Sequence, residues 1–239
     1  MANRRQLKLR FRTWGGRRAN AGRKQKLPGP RRVSHRARPR LASRFPVHLT
    51  TRIRDDVPRL RHRKRCQVIR AVMLAVLNQP GFRICEFSVQ KSHLHLVCEA
   101  ASTEALARGM KRFKHMVARG LNRLLRRKGS VFLDRYHMEI LRTPQQVRNA
   151  LCYVIQNARR HRVSIPTFAN GVDPYSSAWW FDGWKDQSWR SGVSPPADGK
   201  ACVSPSGTWL LSVGWRRAGL IGPAEVPAAG RTCGRSRLH

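Results

Sequence analysis

The run His93-Leu94-His95-Leu96-Val97-Cys98 constrains the fold of this chain more than any other feature. In a strand, alternate side chains point to opposite faces of the sheet. Leu94, Leu96 and Cys98 therefore take one face, and His93 and His95 take the other. The preceding run, Phe82 to Val89, is rich in aromatic and β-branched residues and reads as a second strand, joined to the first by a tight turn at Lys91-Ser92. Both flanks of the histidines are apolar, so this is an inner strand with a covered face. Two neighbouring imidazoles on a covered face need a reason, and a shared metal is one.

The rest of the middle of the chain falls into place around this hairpin. Val47, Leu49, Thr51 and Ile53 alternate with His48, Thr50 and Arg52, which predicts a half-buried strand. Ile69, Val72, Met73, Val76 and Leu77 recur at helical spacing over 66–77, and Asn78-Gln79-Pro80-Gly81 is a stop signal. Residues 103–127 form the longest predicted helix, with an apolar stripe of Leu106, Met110, Phe113, Val117, Leu121 and Leu124. Val131 to Leu141 reads as a fourth strand. Thr143 is a fair N-cap for a last helix, with Val147, Leu151, Val154 and Ala158 as its stripe. The order strand-helix-strand-strand-helix-strand, then helix, predicts an α+β domain: a ferredoxin-like antiparallel sheet with helices on one face.

On that last helix Tyr153 lies off the apolar stripe, among Gln146, Asn149, Asn157 and Arg160. A packed aromatic belongs on the stripe, so its position marks it as a candidate functional group. Asn157 is four residues on, which is one face of a continuous helix. If this helix crosses the histidine strand, ligands and a nucleophile meet. The reading in which these are ordinary surface histidines and a packed tyrosine stays open on residues alone.

Charge sets the partner class. Forty-nine Lys and Arg against twelve Asp and Glu leave a formal charge of +37 in 239 residues, with a pI near 11.9. A chain this basic calls for a polyanion, and nucleic acid is the obvious one. Residues 1–44 contain no acidic residue and many Gly and Pro breaks, and read as a flexible cationic arm for phosphate contacts. Residues 45–165 form the folded domain. Residues 166–239 hold six of the seven tryptophans amid Pro and Gly. This tail is expected to dock on the domain, over its helices and away from the nucleic-acid face, with Thr208 to Val213 as a further short strand and a flexible extreme C-terminus. No apolar run approaches the ~18 residues of a membrane span, and the N-terminus lacks an apolar signal core. A cytosolic protein without a membrane partner is expected. None of the six cysteines forms a CxxC pair, so they are expected to be free thiols.

Taken together, HxH on a strand after a short hairpin, a long basic helix, Asp134-Arg135-Tyr136-His137, and Tyr153-Val-Ile-Gln-Asn157 resemble the single-tyrosine HUH transposases, and in particular the REP-associated tyrosine transposases of bacteria. The resemblance covers roughly residues 45–165, and the GGRR…AGRK element at 15–24 is similar to one in such proteins. It implies that His93, His95 and Asn157 hold a divalent metal, Mg²⁺ or Mn²⁺, and that Tyr153 is the nucleophile. It implies cleavage and rejoining of single-stranded or hairpin DNA, repetitive extragenic palindromes among them, through a 5′-phosphotyrosine, in a bacterial cytoplasm and by a monomer or homodimer. Imidazole and amide are not a typical Mg²⁺ shell, which favours manganese in vitro. Arg17, Arg18, Arg23, Lys24, Lys111, Arg112 and Arg160 become candidate DNA contacts. Many relatives read Tyr-x-x-x-Asn-Pro, whereas Ala158 follows Asn157 here, so the helix is expected to run on towards Arg162. Tyr136 and His137 compete for the catalytic roles, His137 as a substrate contact. The rival of another class is a non-catalytic nucleic-acid-binding protein derived from a decayed transposase.

Overall fold

A computed structural model describes residues 38–160, 172–190 and 200–227, all within one compact unit that spans Val33–His239. Four strands, β1 (Val47–Arg52), β2 (Phe82–Val89), β3 (His93–Ala100) and β4 (His137–Ile140), form one antiparallel sheet in the order β2-β3-β1-β4. The helices α1 (Arg63–Val76) and α2 (Thr103–Leu124) follow β1 and β3. This is the ferredoxin-like arrangement, with a third helix, α3 (Pro144–Ile155), after β4.

Two cores lie on the two sides of the sheet. Val47, Leu49, Leu94, Leu96 and Cys98 face α1 and α2, whose stripes supply Ile69, Met73, Leu106, Met110, Phe113 and Val117. Burying each such side chain contributes roughly 1.5–3 kcal/mol. Val97 belongs to the other core, with Val147, Leu151 and Val154 of α3. A β-bulge between Ile84 and Glu86 shifts the alternation of β2, so that Phe82 and Ile84 before it and Phe87 and Val89 after it all reach the first core, while Cys85 enters the second. The histidine face is thus roofed by α3, which begins where Thr143 Oγ1 accepts from the Gln146 amide at 3.2 Å.

The described parts of the tail complete the second core. Ala178, Phe181, Trp184, Trp189, Leu210, Leu211, Trp215 and Ile221 pack with α3. They also guard the edge strand β2, whose backbone would otherwise be an open template. The Val89 amide donates to Tyr175 O (2.7 Å), the Ser177 amide to Phe87 O (3.0 Å) and the Ser204 amide to Ile84 O (2.8 Å). Asp173 anchors this segment through a bidentate ion pair with Arg61, both contacts 2.9 Å, with both side chains buried. The tail therefore covers α3 and the β2 edge, and it also reaches the first core: Cys202 is buried there, the Arg70 guanidinium of α1 lies 4.6 Å from the Trp180 ring centre, and Ser204 Oγ donates to Leu77 O at 3.3 Å.

Several boundaries differ from the sequence reading. Leu41 is buried in the first core and its amide donates to Thr103 Oγ1 at 2.9 Å, so packed chain starts before Phe45. The fourth strand is four residues long; Phe132 makes only an isolated bridge to Ile53. Thr208–Val213 is not a strand: Trp209–Ser212 forms one helical turn, α5. Glu99 accepts the Gly207 and Thr208 amides, both at 2.8 Å, and so fixes the entry to that turn. Residues 1–37, with Arg17, Arg18, Arg23 and Lys24, and the C-terminal end from 228 lie outside the described residues. So does Arg162. Five of the six cysteines are described: Cys66, Cys85, Cys98 and Cys152 are free thiols, and all five, Cys202 included, are buried.

Candidate active site

Register decides what meets on the roofed face. Thr50 pairs with His95 on one side and with His137 on the other, while Arg52 pairs with His93. His48 sits diagonally from His95, within reach for long side chains. Four histidines, His48, His93, His95 and His137, thereby share one face of three adjacent strands.

The contacts are close. His48 Nε2 lies 3.2 Å from His95 Nδ1, and Thr50 Oγ1 lies 3.1 Å from the same nitrogen. The His93 and His95 rings are perpendicular, with centroids 4.7 Å apart. Tyr153 comes down from α3 edge-on to His95 at 5.0 Å and to His48 at 5.7 Å. Arg160 holds its guanidinium 5.2 Å from the Tyr153 ring centre, a distance for cation–π attraction. Burial pushes the His48 imidazole down to about 4, and the nearby His137 adds to the shift, so the ring is neutral at pH 7.

The Tyr153–Asn157 segment is not one continuous helix. α3 ends at Ile155, Gln156 adopts φ −107° and ψ 12°, and a separate turn, α4 (Asn157–Arg160), follows. The tail meets the chain at this break. Gln156 is buried, and its Nε2 donates to Gly222 O (3.0 Å) and Pro223 O (2.7 Å). One and two turns earlier, Cys152 and Arg148 meet Glu225, with Arg148 bidentate at 2.8 and 2.9 Å. The tail thus holds the helix end that carries the tyrosine. Asn157 is fully buried, and neither its Oδ1 nor its Nδ2 has a hydrogen-bond partner among the described residues. A buried amide without partners costs about 1–3 kcal/mol per group; a cation would satisfy Oδ1, whereas Nδ2 needs an acceptor.

The donor set expected from the sequence is two imidazoles and an amide. Among the described residues no group of three or more His, Cys, Asp or Glu side chains is arranged to hold a metal ion. Any cation at His93 and His95 would draw most of its shell from substrate oxygens and water. Imidazoles are softer ligands than Mg²⁺ prefers, so of the two expected ions Mn²⁺ is the better match to these residues.

Other candidates separate from this cluster. Lys111 and Arg112 are exposed on α2, across the sheet from the histidines, because the Leu106–Met110–Phe113 stripe turns α2 to the opposite core. Tyr136 is buried in that same opposite core with the Arg38 guanidinium 3.5 Å from its ring centre. It lies on the wrong face for the nucleophile role. His137 is on the histidine face. A cavity of about 340 Å³ is lined by Glu86, Leu151, Trp180 and Trp215 among others, and not by the histidines or Tyr153.

Sequence reasoning missed His48 as a site residue. Its signal was present: His48-Leu49-Thr50 repeats the polar-apolar-polar pattern of His93-Leu94-His95. Strand register, which pairs the two, was not in the pattern.

A ferredoxin-like sheet with imidazoles on one face and a tyrosine lowered onto them from a roofing helix defines the class: an α+β domain with a histidine–tyrosine centre. Comparison with known proteins narrows it. Residues 42–157, just under half of the chain, match the family described as transposase IS200 like. No curated protein matches the chain. Among solved structures, a REP-associated tyrosine transposase bound to a REP hairpin is similar at 15% identity and a TM-score of 0.49, over 61% of this chain and 82% of that one.

Proposed function

We propose that this protein is a metal-dependent DNA strand transferase that cuts and rejoins single-stranded or hairpin DNA through a covalent bond to Tyr153. The observation that carries the reading is the edge-on packing of Tyr153 against His95 and His48, in a segment that matches a transposase family. Chain-distant residues with no packing requirement for one another converge there, and the formal charge of +37 suits a DNA partner.

The chemistry divides among the residues as follows. The Tyr153 oxygen attacks phosphorus and the bond to the 3′ oxygen breaks. The proton lost by the phenol is balanced by the one gained at the departing 3′-hydroxyl. The bond energy is retained in the phosphotyrosine, so the step reverses on another 3′ end without a nucleotide cofactor. His93 and His95 would hold the cation, with the Asn157 amide oxygen as the expected third donor; bound there, it would supply Lewis-acid polarisation of the scissile phosphate. Arg160, already at the Tyr153 ring, is placed to meet a phosphate oxygen.

The test is cleavage of a panel of labelled hairpins with Mn²⁺. Tyr153→Phe should keep hairpin binding and lose cleavage. His93→Ala, His95→Ala or EDTA should lower cleavage by orders of magnitude. Binding with no cleavage by the unaltered protein under any divalent cation would favour the rival, a DNA-binding descendant of a transposase. Cleavage indifferent to EDTA would remove the metal.

A further inference from the structure

We propose that His48 is a positioning residue for His95: with Thr50, it fixes the His95 ring through Nδ1 so that the opposite nitrogen, Nε2, is the one that ligates the cation. The inference rests on the reading of His93 and His95 as metal ligands. It adds a third histidine with a different task.

The geometry is specific. Two groups of β1, His48 Nε2 at 3.2 Å and Thr50 Oγ1 at 3.1 Å, converge on one ring nitrogen of β3. They reach it because Thr50 stands directly opposite His95 and His48 stands one pair further along. A hydrogen bond between two imidazoles needs one proton. With His48 accepting at Nε2, His95 carries its proton on Nδ1, and the lone pair that can bind metal sits on Nε2. Ligating histidines are held in this way, through their other nitrogen, by an outer acceptor. The His48 ring also lies 5.7 Å from the Tyr153 ring, so the residue that orients the ligand borders the nucleophile as well.

The experiment measures Mn²⁺ binding to the full chain without DNA, by the loss of the free-ion paramagnetic signal on titration. His48→Gln places an amide oxygen near the lost Nε2 and keeps the acceptor; His48→Phe keeps the ring and removes it. His48→Phe should weaken Mn²⁺ about 10–100-fold, and His48→Gln should recover most of that loss. The thermal midpoint and hairpin binding in EDTA should stay with the unaltered protein in both. The ¹⁵N shifts of His95 should report an Nδ1-protonated ring in the unaltered protein and in His48→Gln. Mn²⁺ affinity unchanged in His48→Phe, or equal loss in both variants, would overturn the proposal while leaving the metal reading intact. Undiminished Mn²⁺ binding by His95→Ala would overturn both. If His48→Phe does not fold, His48→Leu takes its place against His48→Gln.

Discussion

Tyr153 stands edge-on to His95, with ring planes at 82° and centroids 5.0 Å apart. The contact links the last helix of the domain to the middle of its sheet, and every layer contributes to it. β1 braces His95 from below through His48 and Thr50. The tail braces α3 from above through Gln156, Cys152 and Arg148. The tryptophan-rich segment is therefore part of the scaffold of the centre, although no tryptophan is in ring contact with Tyr153 among the described residues.

The tail should be inseparable from domain stability. Asp173→Asn leaves the buried Arg61 guanidinium without its charge partner, a loss of about 3–5 kcal/mol in comparable buried pairs. Urea denaturation should show the midpoint falling with one transition. A separate early transition, with the main one unmoved, would show that the tail unfolds on its own.

Much of this was legible beforehand, and the failures have physical reasons. The alternation around His93 and His95 fixed their face, and the position of Tyr153 off its stripe fixed its direction. Neither register nor long-range capping is written in local pattern. His48 joins the centre because of how β1 pairs with β3. The residue at the helix break, Gln156, bonds to carbonyls of Gly222 and Pro223 from the far tail, a contact that no local pattern announces. Lys111 and Arg112 were assigned by charge alone, and the apolar stripe of their own helix turns them to the other side of the sheet. The tryptophans signalled docking, but not that Tyr175, Ser177 and Ser204 would line the β2 edge.

Stability should fall with rising pH through Glu86. Burial, aided by Asp182, raises its carboxyl to about 8, against a weaker opposing bond from Ser177. Below the ordinary carboxylate value, 4.5, folded and unfolded states both hold the proton. Between 4.5 and about 8 the unfolded state ionises first, so stability declines across this window and levels off above it. Glu86→Gln should flatten the decline and be the more stable form at pH 8, by on the order of a few kcal/mol. Equal slopes for the two proteins between pH 5 and pH 8 would contradict this.

Affinity for DNA should depend on the residues ahead of the domain. Deleting residues 1–37 should flatten the dependence of binding on salt, by about 0.7 in log–log slope per lost phosphate contact on single strands. Cleavage at saturating DNA should persist. An unchanged slope would assign the phosphate contacts to the folded domain, with Arg160 the first candidate.

The central claim is that Tyr153 becomes covalently joined to the 5′ side of the cut. It is tested most directly by trapping the adduct on a hairpin substrate with Mn²⁺, digesting the protein and mapping the DNA-bearing peptide by mass spectrometry. One modified peptide is expected, containing Tyr153 and joined to the fragment with the 5′ phosphate, and no adduct from Tyr153→Phe. An adduct on Tyr136, or one that survives Tyr153→Phe, would contradict it.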